Sequence, residues 1–314
     1  MKKTLTIRMS NGLGNQMFMY ASALAIACET NRKLLIDDET AFLSRKNISK
    51  YSLDIFALNN NIAPKNLKFK NFYGYLKRKI LINFDRFKRN NLFYIEKKDS
   101  SKISKFQKDL FKESPLDNIF LEGHLETEKY FQNIRKTILN EFKFNKIELF
   151  KKKKIFEIIN NKNVVAICLR QNRFSEGKTS KIDIQKKNSD IFLNEQIDYI
   201  NKAIKYFLNT LENPKFFLWA NDIDKIDTSK FIHNLTKVNN KHALLDQKDV
   251  IAFDLFLLTQ ISNHIVIPSS FNWWGAWLNN SPNKCILRPS QSFFSKFRIN
   301  NLDLWPSEWI EIEK

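Results

Sequence analysis

The chain has 314 residues, more than one typical hydrophobic core accommodates, so two domains are expected. Its 43% hydrophobic share is ordinary for a globular protein in water, and no run reaches the roughly 18 apolar residues that span a bilayer, which excludes a transmembrane segment. The 52 Lys and Arg against 33 Asp and Glu leave a net charge of +19, which favours anionic partners: a nucleotide, nucleic acid or the anionic face of a membrane. Much of that charge is Lys scattered among Asn, Ile and Phe, so a compositional bias on solvated surface explains it equally well. Cys28, Cys168 and Cys285 are far apart, offer no Cys-x-x-Cys pair for a zinc site, and read as buried, reduced thiols. The start MKKTLTIRMSNG lacks an apolar run of signal-peptide length, so a cytoplasmic location is expected.

In chain order, residues 4–9 alternate like a strand, residues 16–29 read as an apolar helix, and KLLID at 33–37 reads as a second strand. Residues 60–115 interleave Phe69, Phe72, Tyr73, Tyr75, Phe84 and Phe87 with Lys70, Lys77, Arg78, Lys79, Arg86, Lys88 and Arg89. Such a segment suits anionic lipid headgroups or, the preferred reading, an amphipathic cover over a sheet. LEGHL at 121–125 reads as a strand, and residues 126–142 as a helix with Tyr130, Phe131, Ile134, Ile138, Leu139 and Phe142 on one core face. KKKK at 151–154 marks a linker neighbourhood, which divides the chain into domains 1–150 and 151–314. In the second domain the strand-like VVAICL, FFLWA, HIVIP and KCILRP alternate with helix-like EQIDYINKAIKYFLNTL, DVIAFDLFLLTQIS and NWWGAWLNN. This alternation predicts an α/β protein with mostly parallel sheets and helices on both faces.

The loop SNGLGNQMF at 10–18 carries two of the chain's six glycines, Gly12 and Gly14, just after the first strand. In a parallel α/β sheet a ligand meets backbone N–H groups at such strand-to-helix junctions. A dinucleotide fingerprint needs a third glycine where Met17 stands, so that reading is set aside. Asn11, Asn15 and Gln16 instead supply amides that donate to and accept from sugar or nucleotide hydroxyls. SEGKTS at 175–180 imitates a phosphate loop, but Asn172 stands where its first glycine belongs. Arg170 and Arg173, just past VVAICL, are suited to grip a pyrophosphate. Ser269 and Ser270 open another strand-to-helix junction in IPSSFNWWGAWLNN, whose Trp273, Trp274 and Trp277 read as core. Asp222 is a candidate acceptor for a guanine edge, and Asp254, inside an apolar helix, calls for a loop N–H or an arginine as its partner.

Taken together, these residues resemble the inverting α-1,2-fucosyltransferases. Their G-L-G-N-Q-M-F loop matches Gly12 through Phe18, and their S-S-F-x-W-W-G-A-W-L matches Ser269 through Leu278. LEGHLETEKYF, FFLWANDI and DLWPSEWI look like further segments of that family in the same order, so the resemblance covers nearly the whole chain. It implies a GT-B-like architecture of two Rossmann-like domains facing a cleft, with GDP-fucose held by residues 151–314, the acceptor on the side of residues 1–150, and no divalent metal. One motif departs: the family's H-x-R-R-x-D is here Cys168, Leu169, Arg170, Gln171, Asn172, Arg173, so only the first arginine remains.

The residues and the resemblance together assign donor binding to Gly12, Gly14, Arg170, Arg173, Asp222, Ser269, Ser270 and Phe271. Catalysis falls to Arg170, Glu176 and Asn15, with Glu176 the nearest carboxylate in sequence to the missing acid. Asn11 and Gln16 position the acceptor, and Asp254 supports the site. The implied partners are GDP-fucose as co-substrate and a galactose-terminated, lipid-linked glycan, with peripheral contact to an anionic membrane and no nucleic acid. A glycosyltransferase with a different donor or fucosyl linkage, or a non-catalytic α/β protein that binds a nucleotide or nucleic acid, are the rival readings.

Overall fold

The computed structural model describes residues 3–43, 49–59, 61–88, 91–98, 105–159, 161–175, 182–241, 246–297 and 303–314. Contacts divide the chain into one unit of Met1–Asn145 with Leu302–Pro306 and a second of Lys146–Asn301 with Ser307–Lys314. The division thus falls five residues before the expected 150/151 boundary, and a short C-terminal stretch joins the first unit. Its Asp303 accepts from the Phe106 backbone at 2.8 Å and pairs with Lys129, which ties the stretch there.

In the first unit, β1 (Thr4–Arg8) buries Leu5, Thr6 and Ile7, as a central parallel strand covered on both faces must. It leads through Gly12 into α1 (Leu13–Glu29) and then β2 (Lys33–Asp37). There follow α2 (Asn71–Lys88), β3 (Phe93–Ile95), β4 (Asn118–Glu122) and α3 (Arg135–Glu141). The sheet is parallel throughout, in the order β2-β1-β4-β3, with Leu5 opposite Leu34 on one side and Ile119 on the other.

Three expectations need correcting here. LEGHL is not a strand to its end: β4 stops at Glu122, because Gly123 takes φ +157° and Leu125 φ 54°. Residues 126–142 are not one helix but two 3-10 turns, Glu128–Tyr130 and Gln132–Ile134, ahead of the short α3. Their apolar side is nevertheless core, with Tyr130, Phe131, Ile138 and Phe142 buried. Finally, the aromatic residues of α2 do not cover the sheet: Phe72, Tyr73, Tyr75 and Phe84 are exposed. That task falls to Phe69, whose ring lies 5.1 Å from that of Phe120.

The second unit begins with α4 (Ile147–Lys151) and α5 (Lys154–Ile159). Then β5 (Val164–Leu169) is followed by α6 (Ile182–Thr210), β6 (Lys215–Ala220), β7 (Leu235–Lys237) and α7 (Gln247–Gln260). The chain closes with β8 (Asn263–Ile265), α8 (Ser270–Leu278), β9 (Cys285–Pro289) and β10 (Ile310–Ile312). All six strands are parallel in the order β10-β9-β8-β5-β6-β7, and β5, at the centre, is buried at every residue. The tryptophans of α8 are core: Trp273, Trp274 and Trp277 are fully buried, and Trp273 also meets Trp309 at 5.6 Å between ring centroids. Gly275 lets α8 close on α7, since a Cβ there would stand 2.7 Å from that of Leu258. Of the three cysteines, only Cys168 is buried; Cys28 is exposed and Cys285 half-buried, contrary to expectation.

Candidate functional sites of the two units

In an open doubly wound sheet, ligands bind beyond the carboxyl ends of the strands where the strand order reverses. In the first unit the chain passes from β1 to β2 on one side while β4 lies on the other, so that point falls between β1 and β4. Past β1, Asn11 turns the chain at φ 62° and Gly12 caps α1 in extended backbone. Gly12 is exposed, and a Cβ built on it would meet nothing within 4 Å, so no protein atom demands glycine there. Past β4 come His124 and Glu126. The Asn11 amide nitrogen lies 2.8 Å from His124 Nε2, and Asn15 Nδ2 donates to Glu126 Oε1 at 2.9 Å. With the Asn11 amide donating, Nε2 accepts.

The turn that presents these groups is fixed from behind. The buried Glu96 carboxylate accepts from the backbone N–H groups of His124 at 2.8 Å and Leu125 at 3.1 Å. Ser22 Oγ donates to the Leu125 carbonyl at 3.3 Å. Gly123 is required, because a Cβ would lie 2.4 Å from that of Glu96.

Two predicted residues of the glycine loop face inward instead. Gln16 is fully buried: its Nε2 donates to the carbonyls of Asn11 and Lys50, and its Oε1 accepts from Ser52 N–H. It anchors the loop and does not reach an acceptor. Gly14 lies inside the first turn of α1 and is buried, because the helix starts at Leu13 and not at residue 16.

In the second unit the chain proceeds from β5 to β6 and β7, then returns to place β8 on the other side of β5. The order therefore reverses between β5 and β8, whose carboxyl ends carry Arg170 and Arg173 on one side and Ser269 and Ser270 on the other. The Arg170 backbone is clamped by Gln196, which accepts from its N–H at 2.9 Å and donates to its carbonyl at 3.0 Å. Arg173 reaches over to donate to the Pro268 carbonyl, with its guanidinium 4.8 Å above the Phe192 ring. Ser269 is the N-cap of α8, yet its hydroxyl bonds none of the helix amides. Ser270 and Phe271 form the first turn and are half-buried. The Arg173 guanidinium, two hydroxyls and the positive end of a helix thus stand where an anion is best held, with Arg170 at the same end of β5.

On the other flank of β5, Gln171 is buried and exchanges two hydrogen bonds with the Asp222 backbone, 3.1 and 2.9 Å, locking the ends of β5 and β6 together. The Asp222 carboxylate is held below its ordinary range by Lys225, at 2.7 Å. Asp254 finds the expected buried loop N–H in Asn240, whose Nδ2 donates to it at 2.7 Å, and also accepts from Trp219 Nε1 at 3.2 Å. Burial pushes its carboxyl up to about 6 against the pull of those two donors.

Glu176, and SEGKTS beyond Ser175, lie outside the described residues. Among the described residues no group of three or more His, Cys, Asp and Glu is placed to hold a metal ion. A cavity of about 330 Å³ lined by Leu67, Phe69, Leu81 and Phe120 lies against α2 near the start of β4, away from these strand ends. His124 and Glu126 are the functional candidates that the sequence reading passed over. Their signal was LEGHLETEKYF itself, whose alternation hides the turn at Gly123.

Two all-parallel, Rossmann-like α/β units, each with polar groups at its reversal point, define a GT-B-like fold. The sequence profile of Glycosyl transferase family 11 matches residues 1–313, and the chain belongs to that family. It is 26% identical over 321 residues to an Escherichia coli alpha-1,2-colitosyltransferase, covering 98% of each chain. It is also 26% identical to the Escherichia coli O-antigen biosynthesis glycosyltransferase WbnK, covering 97% of this chain and 99% of that protein. Among solved structures, the Bradyrhizobium fucosyltransferase NodZ shares the fold at 17% identity and a TM-score of 0.50, with 88% of this chain and 92% of that one covered. The chain is accordingly a glycosyltransferase with a fucosyltransferase-like fold. Among the described residues no helix is long and apolar enough to cross a membrane.

Proposed function

We propose that the protein moves L-fucose from GDP-β-L-fucose to the 2-hydroxyl of a terminal galactose, with inversion, on a lipid-linked surface glycan at the inner face of the cytoplasmic membrane. The observation that carries this reading is the reach of Arg173 to the Pro268 carbonyl, just ahead of the α8 N-terminus, with Arg170 following β5 at the β5/β8 reversal point. It is an anion site suited to a diphosphate, in a chain of this family. Asp222, beyond β6, is suited to the guanine edge. The first unit takes the acceptor.

Inversion requires the galactose hydroxyl to attack the anomeric carbon from the face opposite GDP, through an oxocarbenium-like transition state. Negative charge collects on the departing diphosphate. Arg170, Arg173 and the Ser269 and Ser270 hydroxyls donate to it, each contributing about 2.7 to 4 kcal/mol by analogy with oxyanion-hole donors. With that charge met by side chains, the reaction proceeds without a divalent metal. The first unit's candidate to take the acceptor proton is Glu126, which Asn15 orients, with His124 beside it to hydrogen-bond a sugar hydroxyl; Glu176, outside the described residues, is the other candidate base.

The colitosyltransferase relative favours a second reading, in which the α-1,2 linkage is kept and the donor carries colitose. Competition between GDP-fucose and GDP-colitose on lactose, with the product linkage read by NMR, decides between them. A fucosyl product linked α-1,2 to galactose upholds the proposal. Exclusive use of the colitosyl donor would replace it, and another linkage would refute both.

A further inference from the structure

Helix α2 turns only a narrow face inward, formed by Gly74, Arg78, Leu81, Ile82 and Asp85. Two interactions fasten it. Arg78 forks onto Glu122 at the end of β4, and Asp85 accepts from the backbone N–H groups of Leu92 and Phe93, both at 2.9 Å. The opposite face exposes apolar side chains around a single Asn83: Phe72 is 68% exposed, Tyr73 80%, Leu76 40% and Ile80 67%. At about 100° per residue, Phe72, Leu76 and Ile80 stand one turn above another, with Tyr73 and Phe84 beside them. The exposed Lys79 and Arg86 border this stripe on one flank and the exposed Lys77 on the other. The single acid of the helix, Asp85, is buried on the inward side.

Scattered exposed apolar residues are ordinary, but an apolar stripe rimmed by cations marks an interaction surface. We propose that α2 docks this stripe into the interface of an anionic bilayer, lying in the plane of the membrane. Its aromatic side chains enter the boundary between headgroups and acyl chains, while Lys77, Lys79 and Arg86 meet lipid phosphates. Charge selects this occupant. A second copy docked on the same stripe would set cations against cations, whereas an anionic surface complements both flanks and the net charge of +19. The Arg78–Glu122 pair also joins α2 to the strand end that leads into the His124 turn, so docking holds the acceptor cluster near the membrane surface. The purpose of this surface rests on the proposed lipid-linked acceptor; its existence does not.

The test is sedimentation of the full chain with vesicles, without substrates. One set contains phosphatidylglycerol in phosphatidylcholine and the other phosphatidylcholine alone. The parent is expected to bind the anionic vesicles at low salt and release at high salt. A K77Q/K79Q/R86Q variant should bind about a hundredfold more weakly, each cation being worth about a factor of five near the surface. An F72S/Y73S/I80S variant should lose at least about tenfold through its apolar contacts. All six side chains are exposed, so unchanged thermal unfolding and unchanged turnover on soluble lactose confirm intact variants. A parent that stays in the supernatant with anionic vesicles at low salt overturns the proposal, as do variants that sediment like the parent. Lipid-independent self-association abolished by F72S/Y73S/I80S, without vesicle binding, would instead assign the stripe to a second copy. Failure of lactose turnover with intact vesicle binding would refute the proposed reaction and leave the docking surface standing.

Discussion

Glu126 is suited to the proposed base role because Asn15 holds it in place while leaving it half-exposed past the end of β4. A glutamine there can still accept from Asn15 but cannot take a proton. Glu126→Gln is therefore expected to lower kcat by about 10²- to 10⁴-fold, with little change in the KM for the donor. Steady-state kinetics check this, and a kcat within about threefold of the parent would remove Glu126 from the role. Two other titratable residues, both in the second unit, act on stability in opposite directions. The Asp254 carboxyl, raised to about 6, binds its proton more tightly in the folded state, so its contribution is present at low pH and lost as pH rises toward 6. Burial holds His264 down to about 4, so its contribution is present above its ordinary value of 6.5 and lost as pH falls toward 4. Between those limits the two oppose each other. Asp254→Asn, which keeps an acceptor for Trp219 and Asn240, removes the compensating member. On acidification from about pH 7 to about pH 4.5 it should lose on the order of 2 kcal/mol more stability than the parent, read from urea unfolding. Equal slopes would show that Asp254 is not held in its protonated form.

At the scale of elements, the turn after β4 brings His124 to Asn11, and it depends on a conformation that only glycine adopts comfortably. Gly123→Ala would put a Cβ against Glu96 at φ +157°, which forces the carboxylate off the His124 and Leu125 amides. A loss of about 1 to 3 kcal/mol in stability, with a marked fall in turnover, is expected from thermal unfolding and kinetics. Parental values in both would show that the turn does not position the site. This turn also shows why part of the site was not legible in the sequence. Arg170, Arg173 and Ser269 were legible as strand-end residues because they follow strongly apolar strands that end abruptly. His124 and Glu126 sit behind an alternating LEGHL, and the residue that fixes them, Glu96, lies 28 positions from His124 in the chain. In the same way, the apolar spacing of residues 126–142 is met as well by two 3-10 turns and a short helix as by one long helix. The direction of α2 was hidden because apolar residues occur on both of its faces, and only the tertiary ties of Arg78 and Asp85 choose which one turns inward.

For the whole molecule, strand and helix alternation was enough to anticipate two parallel α/β units, since fully buried strands such as VVAICL leave few alternatives. What periodicity could not supply was the strand order, and the order is what makes sense of the site. It puts SNGLGNQMF beside the His124 turn in one unit and CLRQNR beside PSSF in the other, each at a reversal point. The glycine loop is thereby divided in role: Gly12 and Asn11 open outward, while Gln16 and Gly14 hold the fold together. The central claim is that these two polar clusters carry out metal-independent glycosyl transfer from a GDP-sugar. It is tested most directly by measuring GDP release from GDP-fucose in excess EDTA, with and without lactose. The account predicts release that depends on lactose and persists under EDTA. Release abolished by EDTA and restored by a divalent metal would contradict the assignment of the leaving-group charge to Arg170, Arg173 and the α8 N-terminus.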